Sequence, residues 1–490
     1  MKVNRGAARM TTANPGVNDH LDGELGPISG HFRLMTLARF EALTLWGRPA
    51  GMEEDCRLES AWATVDERIL AAILHLNATR EFFCVAFARD QQGRYRGFER
   101  SVMYPSPRAA AAALQRDFGQ SLAQTPPVHV EAPPPSRGVD LFAPAAGATR
   151  LHDAFVFVRD SFEQAAAREI LQEIARWFPN QDGHFVKEFQ TAGYSARTWE
   201  LYLWCAFRAL GFEIDQSYAA PDFGLSKRKA RIFVEATTVS ARDPYVAAMA
   251  AGPPPDPPSR IDDYIDHDMA QKFGSPLYSK LKRADWEKPH VSGHPFVLAL
   301  ADFHAPASMR WSYRALPQYL YGLKAITTAD AENRLIEIFM PGEDHVVGDK
   351  RVPTDFFSQP GAENVSAVLF SNAGTISKFN RMGARAGFGD AWVSLVRSGM
   401  LTDPEAWEIT ETPFKADVED PGYQETWWDE ITLYHNPKAL HPVDASLFTG
   451  VTHVHVVDGQ YTATGPTRVQ WSQTTLIDFL GRKKGHPASG

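Results

Sequence analysis

The sequence predicts an α/β protein built around a mixed sheet flanked by helices, with an α+β unit before it and an extension after it. Three observations carry this. Between Trp199 and His304 an apolar helix, three short strands, a basic helix and a largely apolar strand follow one another. A proline- and alanine-rich stretch, residues 123–149, precedes them. The chain of 490 residues also exceeds the size at which one hydrophobic core usually stops growing, so several structural units are expected.

Residues 1–30 lack the apolar run of a secretory signal and read as a disordered tail. Residues 31–122 form an α+β accessory domain. In it Arg68 to Leu76 and Phe82 to Ala88 have strand patterns, Asp90 to Gly93 is a turn, and the alanine-rich Ser106 to Phe118 is a helix. Residues 123–149 are expected to be a linker without stable contacts, cut early by trypsin at Arg137.

Residues 150–385 make the core. Ser161 to Trp177 is helical. Ser195 to Leu210, containing WELYLWCAFRAL, is apolar on nearly every face, as a buried helix is, and Gly211 is placed to end it. Phe212 to Asp215, a strand opened by Asp222, and Arg231 to Val239 follow. A proline-rich surface loop, Asp243 to Arg260, leads to a helix at Leu277 to Trp286 and a strand at Pro295 to Phe303. That strand is apolar enough to be covered on both sides. Tyr313 to Ala325 is expected to be helical and Val365 to Ser371 another buried strand. Residues 386–490 contain a strand-like Thr452 to Val457 but otherwise give no clear fold, and are read as a C-terminal extension.

The net charge of −9 gives no global attraction to nucleic acid, though it leaves room for a local basic groove. Three scattered cysteines argue against a disulfide framework or a zinc finger and fit a reducing compartment. No apolar run approaches the ~20 residues that span a bilayer, so no membrane partner is expected and the cytoplasm is the expected location.

Chemistry concentrates in APDFGLSKRKARIFVEATTV, Ala220 to Val239. Asp222 opens one strand and Glu235 sits in the middle of the next. An ionised carboxylate inside a run like RIFVEATTV needs a partner or a metal. Glu235 and Thr237 share a strand face with Arg231 and Phe233, while Ile232 and Val234 face the opposite layer. Glu200 interrupts the apolar helix in the same way. Carboxylates from adjacent strands can converge on Mg²⁺, a hard cation that takes one or two carboxylates and keeps several waters. Asp302 and His304, His453 and His455, and the loop from Ser371 to Gly389 read as structural. The last matches neither phosphate-loop pattern, and GxSxG, HExxH and kinase signatures are absent.

The order of elements, with Pro221-Asp222 and Glu235-Ala236-Thr237 on successive strands, resembles the PD-(D/E)XK, restriction-endonuclease-like nuclease superfamily over Tyr194 to about His304. The resemblance implies a nuclease needing Mg²⁺ or Mn²⁺ that hydrolyses phosphodiester bonds, with DNA the favoured partner. It implies Asp222 and Glu235 as catalytic metal ligands, helped by the Ala236 carbonyl and by Glu200. One departure matters: Thr237 stands where the family has a lysine. Lys280, on the helix LYSKLKRADW and beside its core face, is the expected substitute. Lys227, Arg228, Lys229, Lys282 and Arg283 are the expected phosphate contacts. The alternative is an inactive, nuclease-like interaction module, favoured by the missing lysine and the acidic balance. A lysine or arginine filling the space between Asp222 and Glu235 would support it, and a metal ion bound there would support the enzyme.

Overall fold

The computed structural model describes residues 31–123, 138–179, 183–245, 261, 264–329, 331, 335–342, 345–347, 350–402, 411–466 and 468–479. The N-terminal unit is an antiparallel sheet of five strands in sequence order: β1 (Arg33–Met35), β2 (Cys56–Ala63), β3 (Ile69–Leu76), β4 (Phe82–Arg89) and β5 (Tyr95–Arg100). Its faces are covered by helices Leu37–Thr44 and Pro107–Gln115. The second helix starts where the sequence dictates: Ser106 caps the Ala109 amide, and Pro107 has no amide hydrogen to waste. Trp46 fixes this unit to the rest by packing its ring against Trp204 and Trp427.

Residues 1–30, most of the expected linker and Arg137 lie outside the described residues. The linker's last part, residues 138–149, does make contacts. Val139 donates to the Ala175 carbonyl, Leu141 is fully buried, and Gln190 donates to the carbonyls of Leu141 and Ala143.

The remaining strands are β6 (Glu213–Asp215), β7 (Phe223–Lys227), β8 (Ala230–Ser240), β9 (Phe296–Phe303), β10 (Leu323–Ala329), β11 (Leu335–Pro341), β12 (His345–Val347), β13 (Lys350–Val352), β14 (Ala367–Ser371), β15 (Val393–Thr402), β16 (Glu411–Asp417), β17 (Ile431–His435), β18 (Thr452–Val457), β19 (Gln460–Thr464) and β20 (Arg468–Asp478). Eight of them form the central mixed sheet in the order β19-β18-β17-β14-β9-β8-β7-β6. β6, β7 and β8 are an antiparallel meander, and β8 and β9 run parallel. β9 is buried along its whole length, as its apolar sequence requires.

Helix Tyr194–Ala209 lies on one face of this sheet with Ile232 and Val234. Helix Met269–Arg283 lies on the other with Phe233. The alternation expected along β8 is therefore realised. Helix Tyr194–Ala209 ends at Gly211 (φ 82°), and the Phe212 amide returns to the Phe207 carbonyl, a left-handed stop that favours glycine.

Two expectations are corrected. The helix expected from Tyr313 to Ala325 spans Ala315–Tyr321; Gly322 (φ 65°) ends it, and the β-branched run Ile326-Thr327-Thr328 continues as strand β10. Nor do residues 386–490 stand apart as an extension. β17, β18 and β19 complete the central sheet, while β16, β15 and β20 form a separate antiparallel one. No helix among the described residues is long and apolar enough to cross a membrane.

Candidate active site

β7 begins immediately after Asp222, and the Ala236 amide on β8 donates to Asp222 Oδ2 at 2.7 Å. Adjacent strands thus hold Asp222 beside Glu235. Glu235 shares a β8 face with Phe233 and so points toward helix Met269–Arg283. That helix buries Phe273, Leu277 and Leu281, which brings Lys280 in its last turn down to the sheet. Lys280 Nζ donates to Glu235 Oε1 at 2.5 Å, and Arg283 Nη1 reaches the same oxygen at 3.1 Å. Three cations in the last turn also suit the negative end of the helix dipole.

Glu235 is 2% exposed, so its carboxylate lies inside the protein, where it needs a partner or a metal. Its Oε2 has no hydrogen-bond partner among the described residues. Burial, reinforced by the charges of Glu235 and Glu200, pushes the Asp222 carboxyl from 3.8 up to about 8; the Ala236 amide and Lys280 oppose this only in part. Crowded carboxylates of this kind suit a divalent cation, whose charge favours their ionised forms.

Glu200 lies close enough to be felt by Asp222, yet its Oε2 accepts from Arg197 Nη1 at 2.7 Å. Among the described residues no set of three or more His, Cys, Asp or Glu side chains is arranged to hold a metal ion. The donors at hand, two carboxylates with one unpartnered buried oxygen, have the chemistry that a largely hydrated Mg²⁺ or Mn²⁺ takes, while Glu200 is engaged by Arg197.

The expected phosphate contacts fare unevenly. The turn after β7 lies at the far end of the hairpin, because Lys227 pairs with Ala230, five residues and roughly 16 Å along β8 from Glu235. Lys227 Nζ donates to the Leu210 carbonyl at 2.6 Å, and Arg228 Nε pairs with Glu54 at 2.9 Å. Both are taken by structural partners, and the turn is not beside the site. Lys229 is exposed at the same distant turn. Arg283, expected to contact phosphate, bridges Glu235 and Asp285. Lys282 is exposed, with its ammonium over the Tyr278 ring at 4.6 Å.

Asp285, 2% exposed and held by Arg283 and Lys288, was missed by the sequence reading; nothing in its local pattern separates it from a surface acid. Also missed was His290, whose Nε2 lies 3.1 Å from the Ala220 carbonyl. Elsewhere, His304 Nδ1 pairs with Asp302 Oδ1 at 2.7 Å, and His453 Nδ1 pairs with His435 Nε2 at 2.9 Å. Comparison of the chain with family models, curated proteins and solved structures finds no match.

The raised Asp222 pKa gives a signed prediction. The folded protein keeps this proton up to about pH 8, whereas the unfolded chain releases it near its ordinary 3.8. Stability should therefore fall as pH rises through that window, by at most ~1.4 kcal/mol per unit, and level off above it. Asp222→Asn should remove this component, and Mg²⁺ should offset it in the wild type. Parallel stability–pH curves for wild type and variant, measured by urea unfolding without metal, would refute the assignment.

Proposed function

We propose that the protein is a divalent-metal-dependent nuclease of the PD-(D/E)XK type that hydrolyses phosphodiester bonds of DNA. The observation that supports this best is the ion pair between Lys280 and Glu235, with Asp222 on the neighbouring strand. A lysine from the following helix takes the place that Thr237 leaves without charge. The helix, three-strand meander, helix and parallel fourth strand supply the matching framework.

In this reading Asp222 and Glu235 would hold the cation, whose charge would favour the ionised form of Asp222. Mg²⁺ or Mn²⁺ held there would supply Lewis acidity toward water and positive charge toward the phosphate. Lys280 keeps its ammonium beside Glu235, where it stabilises charge developing on the phosphate. Arg283 is the nearest further cation for the phosphate backbone once the substrate competes with Glu235 for it.

A second reading, an inactive interaction module, draws on the same contacts: Lys280 and Arg283 already occupy Glu235 Oε1. One experiment separates the two. Purified protein is incubated with plasmid and single-stranded DNA, with and without Mg²⁺ or Mn²⁺, and its melting temperature is followed in parallel. The nuclease cleaves and is stabilised by the metal. Neither cleavage nor stabilisation would leave the module as the function.

A further inference from the structure

We propose that Tyr218, stacked on His290 beside the two carboxylates, is a platform for a nucleobase, and that the substrate is DNA with an unpaired nucleotide next to the cleaved phosphate. The proposal rests on the nuclease reading and gives it a substrate class.

The rings of Tyr218 and His290 lie 3.8 Å apart and within 4° of parallel. His290 is fixed from two sides. Its Nε2 meets the Ala220 carbonyl, two residues before Asp222. Its ring also stands against Phe233, at 5.6 Å between centroids and 67° between planes. Phe233 is fully buried and shares a face of β8 with Glu235, one pleat or about 7 Å away. The stack is therefore anchored in the core at one end and placed within a nucleotide or two of the carboxylates.

Its other end is open. His290 covers one face of Tyr218, and the residue still keeps 39% of its surface exposed. A tyrosine held flat in this way has already given up much of its side-chain freedom. A planar group landing on it gains stacking without paying for order. Arg231 sits 5.0 Å from the centre of the Phe233 ring at the same edge, its guanidinium shared with Asp215 at 2.9 Å. Stacking on an aromatic ring beside a cation is how proteins hold bases without reading their sequence.

The geometry also selects the state of the DNA. Inside a continuous duplex both faces of each base are covered by neighbouring pairs. A base can reach Tyr218 only where it is unpaired or terminal: a single strand, an overhang or a flap.

The test uses Asp222→Asn as the non-cleaving background, with Mg²⁺ present and a single-stranded DNA oligonucleotide carrying 2-aminopurine. Binding is followed by anisotropy and stacking by quenching of the 2-aminopurine. Adding Tyr218→Ala should weaken binding about tenfold or more and abolish the quenching, whereas Tyr218→Trp should preserve both. Binding of a blunt duplex should not respond to either change. Unaltered affinity and quenching in Tyr218→Ala would overturn the platform. So would wild-type cleavage of blunt duplex as fast as of single strands. Tighter, Tyr218-dependent binding of an RNA oligonucleotide of the same sequence would overturn the assignment to DNA. A wild type that cleaves no DNA with either metal would bring down the nuclease reading and this proposal together; cleavage indifferent to Tyr218 would bring down the platform alone.

Discussion

Lys280→Met is expected to lower Mg²⁺-dependent turnover by ~10²–10³ while leaving DNA affinity within a few fold. Lys280 holds Glu235 Oε1 from the last turn of its helix, and its charge acts on Asp222 as well. Methionine keeps most of the side chain's length and apolar stem but removes the charge. Arg283 remains on Glu235, so the buried carboxylate is not left unpaired. Lys282→Met should behave in the opposite way. That side chain is exposed, so its loss should weaken binding and reduce the salt slope by about one unit, with little effect on turnover. Single-turnover kinetics alongside binding isotherms at several salt concentrations measure both quantities. Equal, small effects of the two substitutions would remove Lys280 from the mechanism.

Glu425→Gln is expected to destabilise the protein by ~3–5 kcal/mol without touching the candidate active site. Glu425 is almost fully buried, just ahead of β17. It accepts hydrogen bonds from Lys378 at 2.7 Å, from Arg381 at 2.8 Å and from the Tyr423 hydroxyl, and Arg397 stands 3.4 Å away. Burial alone would raise its pKa, but Arg381, Arg397 and Lys378 together hold the carboxyl well below the usual range. A depressed carboxyl pKa contributes stability that is full above the unfolded value, 4.5, and lost as pH falls below it. Glutamine removes the charge that keeps three buried cations in place. Chemical unfolding at pH 7 should show the loss, and the difference from wild type should shrink in acid. A variant as stable as the wild type at pH 7 would mean that Glu430 and Asp429, which also flank Arg397, suffice.

The same network explains why residues after 385 were illegible in the sequence. Lys378 and Arg381 lie on helix Ile376–Arg385, where their spacing resembles a solvated basic face, yet both are buried. Their partners lie more than forty residues further on. β17, β18 and β19 join a sheet begun two hundred residues earlier, and no local pattern announces such pairings. Periodicity reports which face of an element is apolar, not which distant strand will sit beside it.

The sequence by itself determined the helix before the meander, the strands of the meander and β9, because each carries its own signal; the basic helix it placed at Leu277 to Trp286 in fact begins at Met269 and ends at Arg283. An all-round apolar helix closes at a glycine, strands keep period two, and β9 is too apolar to be anything but central. It also singled out Glu235, since a carboxylate inside an apolar strand is costly without partners, and Lys280, since helical spacing put it next to the buried Leu277 and Leu281. Tertiary structure alone decided how the charges are shared. It gave Glu200 to Arg197 and Lys227 to the Leu210 carbonyl, set Arg283 between Glu235 and Asp285, and raised the Asp222 pKa. A side chain's charge is written in its residue type, but its desolvation and its partner depend on what the rest of the chain packs against it.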